Sequence, residues 1–207
     1  MRYYKKYFNK AIAGHFPDRS HNLISEIENH YKEISVDTKF ALTSKNPMDK
    51  RLDFCAYFLA LIKTLDNSGE SFETIRTVCL EVVIDYVKPK NHFQEFVKRI
   101  PPKLVNTSLA RMALKFLHKR VSKKANPQGF VAHIITDKTQ THGFGYGFDI
   151  IECGICKLFK KHRFEKYASI LCEVDKVTSG MAGLELVRNG TIANGAKICD
   201  FRFKKLQ

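Results

Sequence analysis

The chain has 207 residues, 44% of them hydrophobic, with a formal charge of +14 and no tryptophan beside 16 Phe and 8 Tyr. That composition supports a buried aromatic-rich core and excludes a disordered or low-complexity polypeptide. The longest apolar run, Phe54 to Ile62, is too short to cross a bilayer, and the charged start Met1-Arg-Tyr-Tyr-Lys-Lys lacks the apolar stretch of a signal peptide. A cytoplasmic protein with no membrane partner is expected. Six cysteines in such a chain read as free thiols, ligands or catalytic groups, not as a disulfide framework.

Residues 1–125 read as helices joined by short turns. Ser20 to Ile34 places Leu23, Ile24, Ile27 and Tyr31 on one face. Asn46-Pro47-Met48-Asp49 starts a helix carrying Leu52, Cys55, Tyr57, Phe58, Leu61, Ile62 and Leu65, and Asn67-Ser68-Gly69 stops it. Ser71 opens the next, which runs past Ile75, Val78, Cys79, Val82, Val83 and Tyr86 and ends before Pro89. Pro101-Pro102 breaks the chain again. Thr107 or Ser108 then caps a helix with Ala110, Ala113, Leu114, Leu117 and Val121 on one side and Arg111, Lys115, Lys119 and Lys123 on the other. Cys55 and Cys79 fall on core-facing positions and read as structural.

Asn126-Pro-Gln-Gly129 marks a change of character. Phe130 to Thr136 and Gly143 to Cys153 read as strands, the glycines of the second marking bulges or close backbone approach. Helices over 154–162 and 165–181 follow. Leu184 to Ile192 and Lys197 to Phe203 pair as a hairpin around Ala193-Asn194-Gly195-Ala196. The fold class expected is α+β: an N-terminal helical segment (1–125), then a small antiparallel sheet with helices packed on one face (126–207), the two forming one compact unit.

From Lys98 to Lys124 there are nine basic residues, and no acid stands between Glu95 and Asp137. Such a ridge can meet a polyanion. No nucleic-acid motif accompanies it and the aromatics are not interleaved with it, so a solvated basic face is preferred and nucleic acid is not expected as a partner.

The chemistry gathers between Ile151 and Lys205. Cys153-x2-Cys156 has the spacing of a metal or redox pair, but no second pair completes a zinc ribbon, so neither metal nor cofactor is expected. Cys172-x2-Asp175 sits on a helix, where residues three apart share a face. A carboxylate on an apolar helix needs a partner, and Arg188 and Arg202 on the hairpin are the two candidates. On the last strand Cys199, Phe201 and Phe203 face one side while Asp200, Arg202 and Lys204 face the other. Arg188 and Thr191 lie on opposite faces if the preceding strand is regular; a bulge at Asn189-Gly190 changes that. His133 and His142 stand near the sheet but belong to no motif.

These blocks together resemble the L-2-amino-thiazoline-4-carboxylic acid hydrolase family, over roughly residues 50–205. The resemblance rests on Cys153 opening a short helix with Leu158-Phe159, on Leu171-Cys172-x2-Asp175, on Arg188-x2-Thr191-Ile192-Ala193-x-Gly195, and on Cys199-Asp200-Phe201-Arg202-Phe203. Gly154 stands where members often carry proline, and Cys156 lies outside the pattern. The hairpin is also similar to that of four-vinyl-reductase-type small-ligand domains. Their zinc-binding versions use Glu-x2-Cys-x7-Cys, whereas this chain has Arg188-x2-Thr191-x7-Cys199, which disfavours zinc and favours an anionic ligand near Arg188.

The family resemblance implies hydrolytic opening of a cyclic isothiourea to an N-carbamoyl amino acid. It implies Arg188 as a clamp for a substrate carboxylate and Asp175 as partner of the amidinium or general base. Cys172 is the candidate nucleophile if a nearby cation lowers its pKa, with Cys199 the runner-up. Thr191, Asn194, Asp200, Arg202 and Cys153 are further substrate-binding candidates. The alternative is a non-catalytic sensor using the same pocket. The partner expected is a small anionic substrate or ligand, and a homodimer stays open.

Overall fold

The computed structural model describes residues 3–89 and 107–206. Pro101-Pro102 and the basic residues Lys98, Arg99 and Lys103 lie outside them. Helix α1 (Lys5–His15) precedes the helices read from periodicity and buries Tyr7, Phe8, Ala11 and Ile12. Then come α2 (Ser20–Ser35), α3 (Leu52–Asn67), α4 (Phe72–Val87) and α5 (Ser108–Val121). The caps are those the sequence requires: the Ser71 hydroxyl accepts from Thr74 N, and Thr107, rather than Ser108, accepts from Ala110 N.

Helix α3 is apolar all round, and every residue from Cys55 to Ile62 is buried. A helix without a polar face belongs inside a bundle. Here α2 and α4 flank it, and Phe8, Tyr57 and Phe58 meet edge-to-face at 4.7 Å between ring centroids. Helix α5 behaves differently. Only Val121 is buried on it, while Leu109, Met112 and Phe116 are exposed.

Strands β1 (Val131–Ile135), β2 (Gly147–Glu152), β3 (Leu184–Val187) and β4 (Cys199–Lys205) form one antiparallel sheet in the order β1-β2-β4-β3. Helices α6 (Gly154–Lys161) and α7 (Ala168–Met181) connect its halves. The α+β architecture is therefore as expected, and two details of the strands differ. The aromatic-glycine run enters the sheet only at Gly147. Before it, Gly143 and Gly145 turn at φ +79° and +78°, a region that resists other residues. At Gly147 the expected close approach is real: a Cβ there would lie 2.6 Å from the Phe201 carbonyl oxygen. The first hairpin strand ends at Val187, not Ile192. Asp200 accepts from the backbone N–H groups of Asn189 and Gly190, curling the chain out of the ladder. The Asn194-Gly195 turn closes with Gly195 at φ +87°.

The sheet face carrying Ala132, Ile150, Cys199, Phe201 and Phe203 is buried and meets Leu52 of α3. Its opposite face carries Asp200, Arg202 and Lys204, in the alternation expected. Both backbone groups of Phe130 are held by the segment leading into α3: its N–H donates to buried Asp49 at 2.8 Å, and its carbonyl accepts from Asn46 Nδ2 at 2.8 Å. Those bonds bring the start of α3 against the first strand. Among the described residues no helix is long and apolar enough to cross a membrane.

Candidate active site

Three elements meet where the buried sheet face runs out. Helix α7 presents Leu171, Cys172 and Asp175; the β3–β4 connection presents Arg188; β4 presents Cys199 and Phe201. With Cys153, Cys156, Met48 and Arg51 they line one cavity. It is about 40 Å³ inside, and about 460 Å³ with its mouth included. The inner chamber has room for a few water molecules, and its mouth opens to solvent.

The helical i, i+3 spacing puts Cys172 and Asp175 side by side, as the sequence requires. Arg188, with its side chain 6% exposed, answers the carboxylate. Its Nη1 stands 3.4 Å from Asp175 Oδ2, its Nη2 donates to the Cys172 carbonyl at 2.9 Å, and its guanidinium lies 5.0 Å over the Phe201 ring. A planar cation with five donors suits a position between a carboxylate, a carbonyl and an aromatic face.

The electrostatics of the cavity are unusual. Burial pushes the Asp175 carboxyl up to about 6, against the opposing pull of Arg51 and then Arg188. Burial also pushes the Cys172 thiol up to about 12, helped by the charge of Asp175; Arg188 and the Thr191 hydroxyl act in the other direction without reversing it. So the cation that the sequence asks to activate Cys172 is present, yet the thiol stays protonated near neutral pH. Cys199 is pushed up to about 11 by burial although Ile192 N–H donates to its sulfur at 3.1 Å. Cys153 is raised by its hydrogen-bonded neighbour Cys156 and by burial. Cys55, buried in the helical core, is pushed up to about 12 by burial. Among the described residues no group of three or more His, Cys, Asp or Glu side chains could hold a metal ion, and all six cysteines are free.

The remaining candidates separate. Thr191 is buried beside Cys172, and its hydroxyl also accepts from Asn194 N at 3.3 Å. Asn194 is exposed and does not line the cavity. Asp200 serves the turn: Asn189 Nδ2 donates to it at 2.8 Å, and despite partial burial the donors from Gly190 and Asn189 hold its carboxyl below the ordinary range. Arg202 is not a partner of Asp175. It points to the other sheet face, where Nη1 meets Asp149 Oδ1 at 2.8 Å and Nε donates to the Gln140 carbonyl at 2.9 Å. His133 and His142 are exposed and stand outside the cavity. Sequence reading passed over Met48 and Arg51. They precede α3, whereas the other walls lie between Phe130 and Phe201, and no local pattern links them to the tail.

The sequence profile of the L-2-amino-thiazoline-4-carboxylic acid hydrolases matches residues 50–203. The chain belongs to this family. The match begins beside Arg51 and ends within β4, so it takes in every wall of the cavity except Met48. No curated protein and no solved structure matched the chain.

Proposed function

We propose that this member of the L-2-amino-thiazoline-4-carboxylic acid hydrolase family opens a small cyclic amidine or isothiourea carboxylate to an N-carbamoyl amino acid. The observation that supports it most directly is a carboxyl group raised by burial to about 6, beside Arg188 in a cavity that opens to solvent. A base that is ionised at neutral pH, yet strong enough to accept a proton, is what attack of water on an amidine carbon requires.

In this reading Asp175 takes a proton from water as its oxygen bonds to the amidine carbon. The carbon–sulfur bond then breaks, and Asp175 returns the proton to the departing sulfur. The carbonyl of the carbamoyl product forms as the remaining proton leaves to solvent. Arg188 holds Asp175 through the contact at Oδ2. Direct attack by water is preferred to attack by Cys172, because a thiol with a pKa of about 12 is almost wholly protonated at neutral pH. Cys172 and Thr191 then shape and orient, as do Cys199 and Cys153. A sensor using the same pocket would have no use for a poised base, and the family match does not favour it.

The test is thiol release and carbamoyl product formation from 2-aminothiazoline-4-carboxylate by purified, metal-stripped protein, beside Asp175→Asn. Turnover by the parent and none by the variant supports the reading. Equal turnover by both proteins sinks the role of Asp175, and no turnover by either sinks the hydrolase.

A further inference from the structure

Arg188 is poorly placed to clamp a substrate carboxylate. Its side chain is enclosed, it is engaged by the Cys172 carbonyl and the Phe201 ring, and Asp175 stands against it. A second anion there would be repelled by the first. The cavity has another guanidinium. Arg51 closes the short 3-10 turn Asp49–Arg51 and lies at the start of α3, on the wall contributed by the helical half. It is exposed, and among the described residues its guanidinium has neither a hydrogen-bond nor an ion-pair partner.

Its charge nevertheless reaches into the site. Of the two cations that oppose the rise of the Asp175 pKa, Arg51 has the larger effect, and it also acts on Cys55 and Tyr146. Arg51 itself lines the cavity, together with Asp175 and Arg188. We propose that Arg51 is the anion anchor of this cavity, receiving the carboxylate of the substrate while Asp175 faces the amidine carbon. This rests on the hydrolase reading given above and deepens it.

The division of labour follows from substrate chemistry. A 2-amino-thiazoline-4-carboxylate carries its cation and its anion on opposite sides of a small ring. Asp175 and Arg51 both line the cavity, so it offers a carboxylate and a guanidinium to such a dipole. Seating the carboxylate on Arg51 would turn the amidine carbon toward Asp175. It would also leave the Arg188–Asp175 contact intact during turnover. A planar fork gives Arg51 two parallel donors for the carboxylate, which lysine cannot reproduce.

The experiment compares parent, Arg51→Gln and Arg51→Lys on 2-aminothiazoline-4-carboxylate and on its uncharged 4-carboxamide, by turnover and by calorimetric binding. The expected result for Arg51→Gln is a rise of about 10- to 100-fold in KM or Kd for the acid, the ratio for losing a charge-assisted hydrogen-bonded pair. The amide should change by less than about threefold, and Arg51→Lys should recover only part of the loss. The acidic limb of kcat/KM should also move to higher pH in Arg51→Gln, because Asp175 loses an opposing cation. If the parent binds the acid in preference to the amide without turning it over, and Arg51→Gln abolishes that preference, the anchor stands and the hydrolase reading falls. If Arg51→Gln keeps the parent's preference, or the parent has none, the anchor is overturned.

Discussion

Asp175→Asn should inactivate the protein and stabilise it. Moving the carboxyl from its ordinary 3.8 to about 6 means that the fold disfavours the ionised form. The difference corresponds to about 3 kcal/mol at 1.36 kcal/mol per pH unit, with the attraction of both arginines already included. The 28% exposure of the side chain makes this an upper figure. Because the folded pKa is raised, the stability the protonated group confers is fully present below about pH 3.8 and is lost as pH rises through about 6. Asparagine resembles the protonated acid at every pH. The variant should therefore gain up to about 3 kcal/mol at pH 7.5 and only about 1 kcal/mol at pH 4.5. For a chain of this size the neutral gain is about 6–12 °C in Tm. Thermal melts of both proteins across that pH range supply the test, with turnover measured in parallel. Turnover should fall at least about 100-fold, and kcat/KM of the parent should decline below an apparent pKa of about 6. A variant that is less stable at pH 7.5, or a Tm difference that does not change with pH, would refute the reasoning.

Other substitutions probe the same geometry. Cys172→Ala should cost turnover less than about tenfold, and iodoacetamide at pH 7.5 should leave Cys172 unmodified over an hour, since a thiol at about 12 is scarcely ionised. A loss beyond about 1,000-fold would return the thiol to the role of nucleophile. Arg202→Ala should lower stability by about 2–3 kcal/mol through the orphaned Asp149, and leave KM unchanged, because Arg202 serves the opposite sheet face. Steady-state kinetics beside urea melts decide this. Gly147→Ala should cost at least about 2 kcal/mol in a urea melt, because its Cβ would press on the Phe201 carbonyl within a paired strand.

What was legible in the sequence depended on how local its cause was. The Ser71 and Thr107 caps, the end of α4 before Pro89 and the Asn194-Gly195 turn are dictated by neighbouring residues, and the structure repeats them. The alternation of Cys199, Phe201 and Phe203 with Asp200, Arg202 and Lys204 is equally local. The end of β3 at Val187 was not legible, because it depends on a carboxylate ten residues away in sequence capturing two backbone N–H groups. Arg188 and Arg202 are chemically alike, and only strand geometry separates the partner of Asp175 from the partner of Asp149. Arg51 was hidden for a stronger reason: it belongs to no motif, and its place in the cavity appears only when α3 packs against the sheet. Of the tail residues, Cys153, Cys172, Asp175, Arg188 and Cys199 line one cavity while Asn194, Asp200 and Arg202 do not, and the titration of the thiols was not legible. Burial, which sequence spacing does not encode, raises the thiols of Cys55, Cys172 and Cys199 and adds to the effect of Cys156 on Cys153.

An ion pair between Asp175 and Arg188 could be read as a strut, and the other carboxylates of the protein argue against that. Glu173 beside Arg76, Glu152 between Lys124 and Lys157, Asp37 between Lys161 and His162, and Asp66 with Tyr167 and Lys166 are all held below their ordinary pKa. Their cationic contacts come as close as 2.5 to 3.1 Å. That is how a carboxylate behaves when its partner compensates for burial. Asp175 has two arginines acting on it and is still raised, and its contact with Arg188 is the looser 3.4 Å. A strut under selection for stability would close that distance or give way to apolar packing. A raised carboxyl kept in a cavity that Arg51 also lines retains a cost that the proposed turnover accounts for and stability does not.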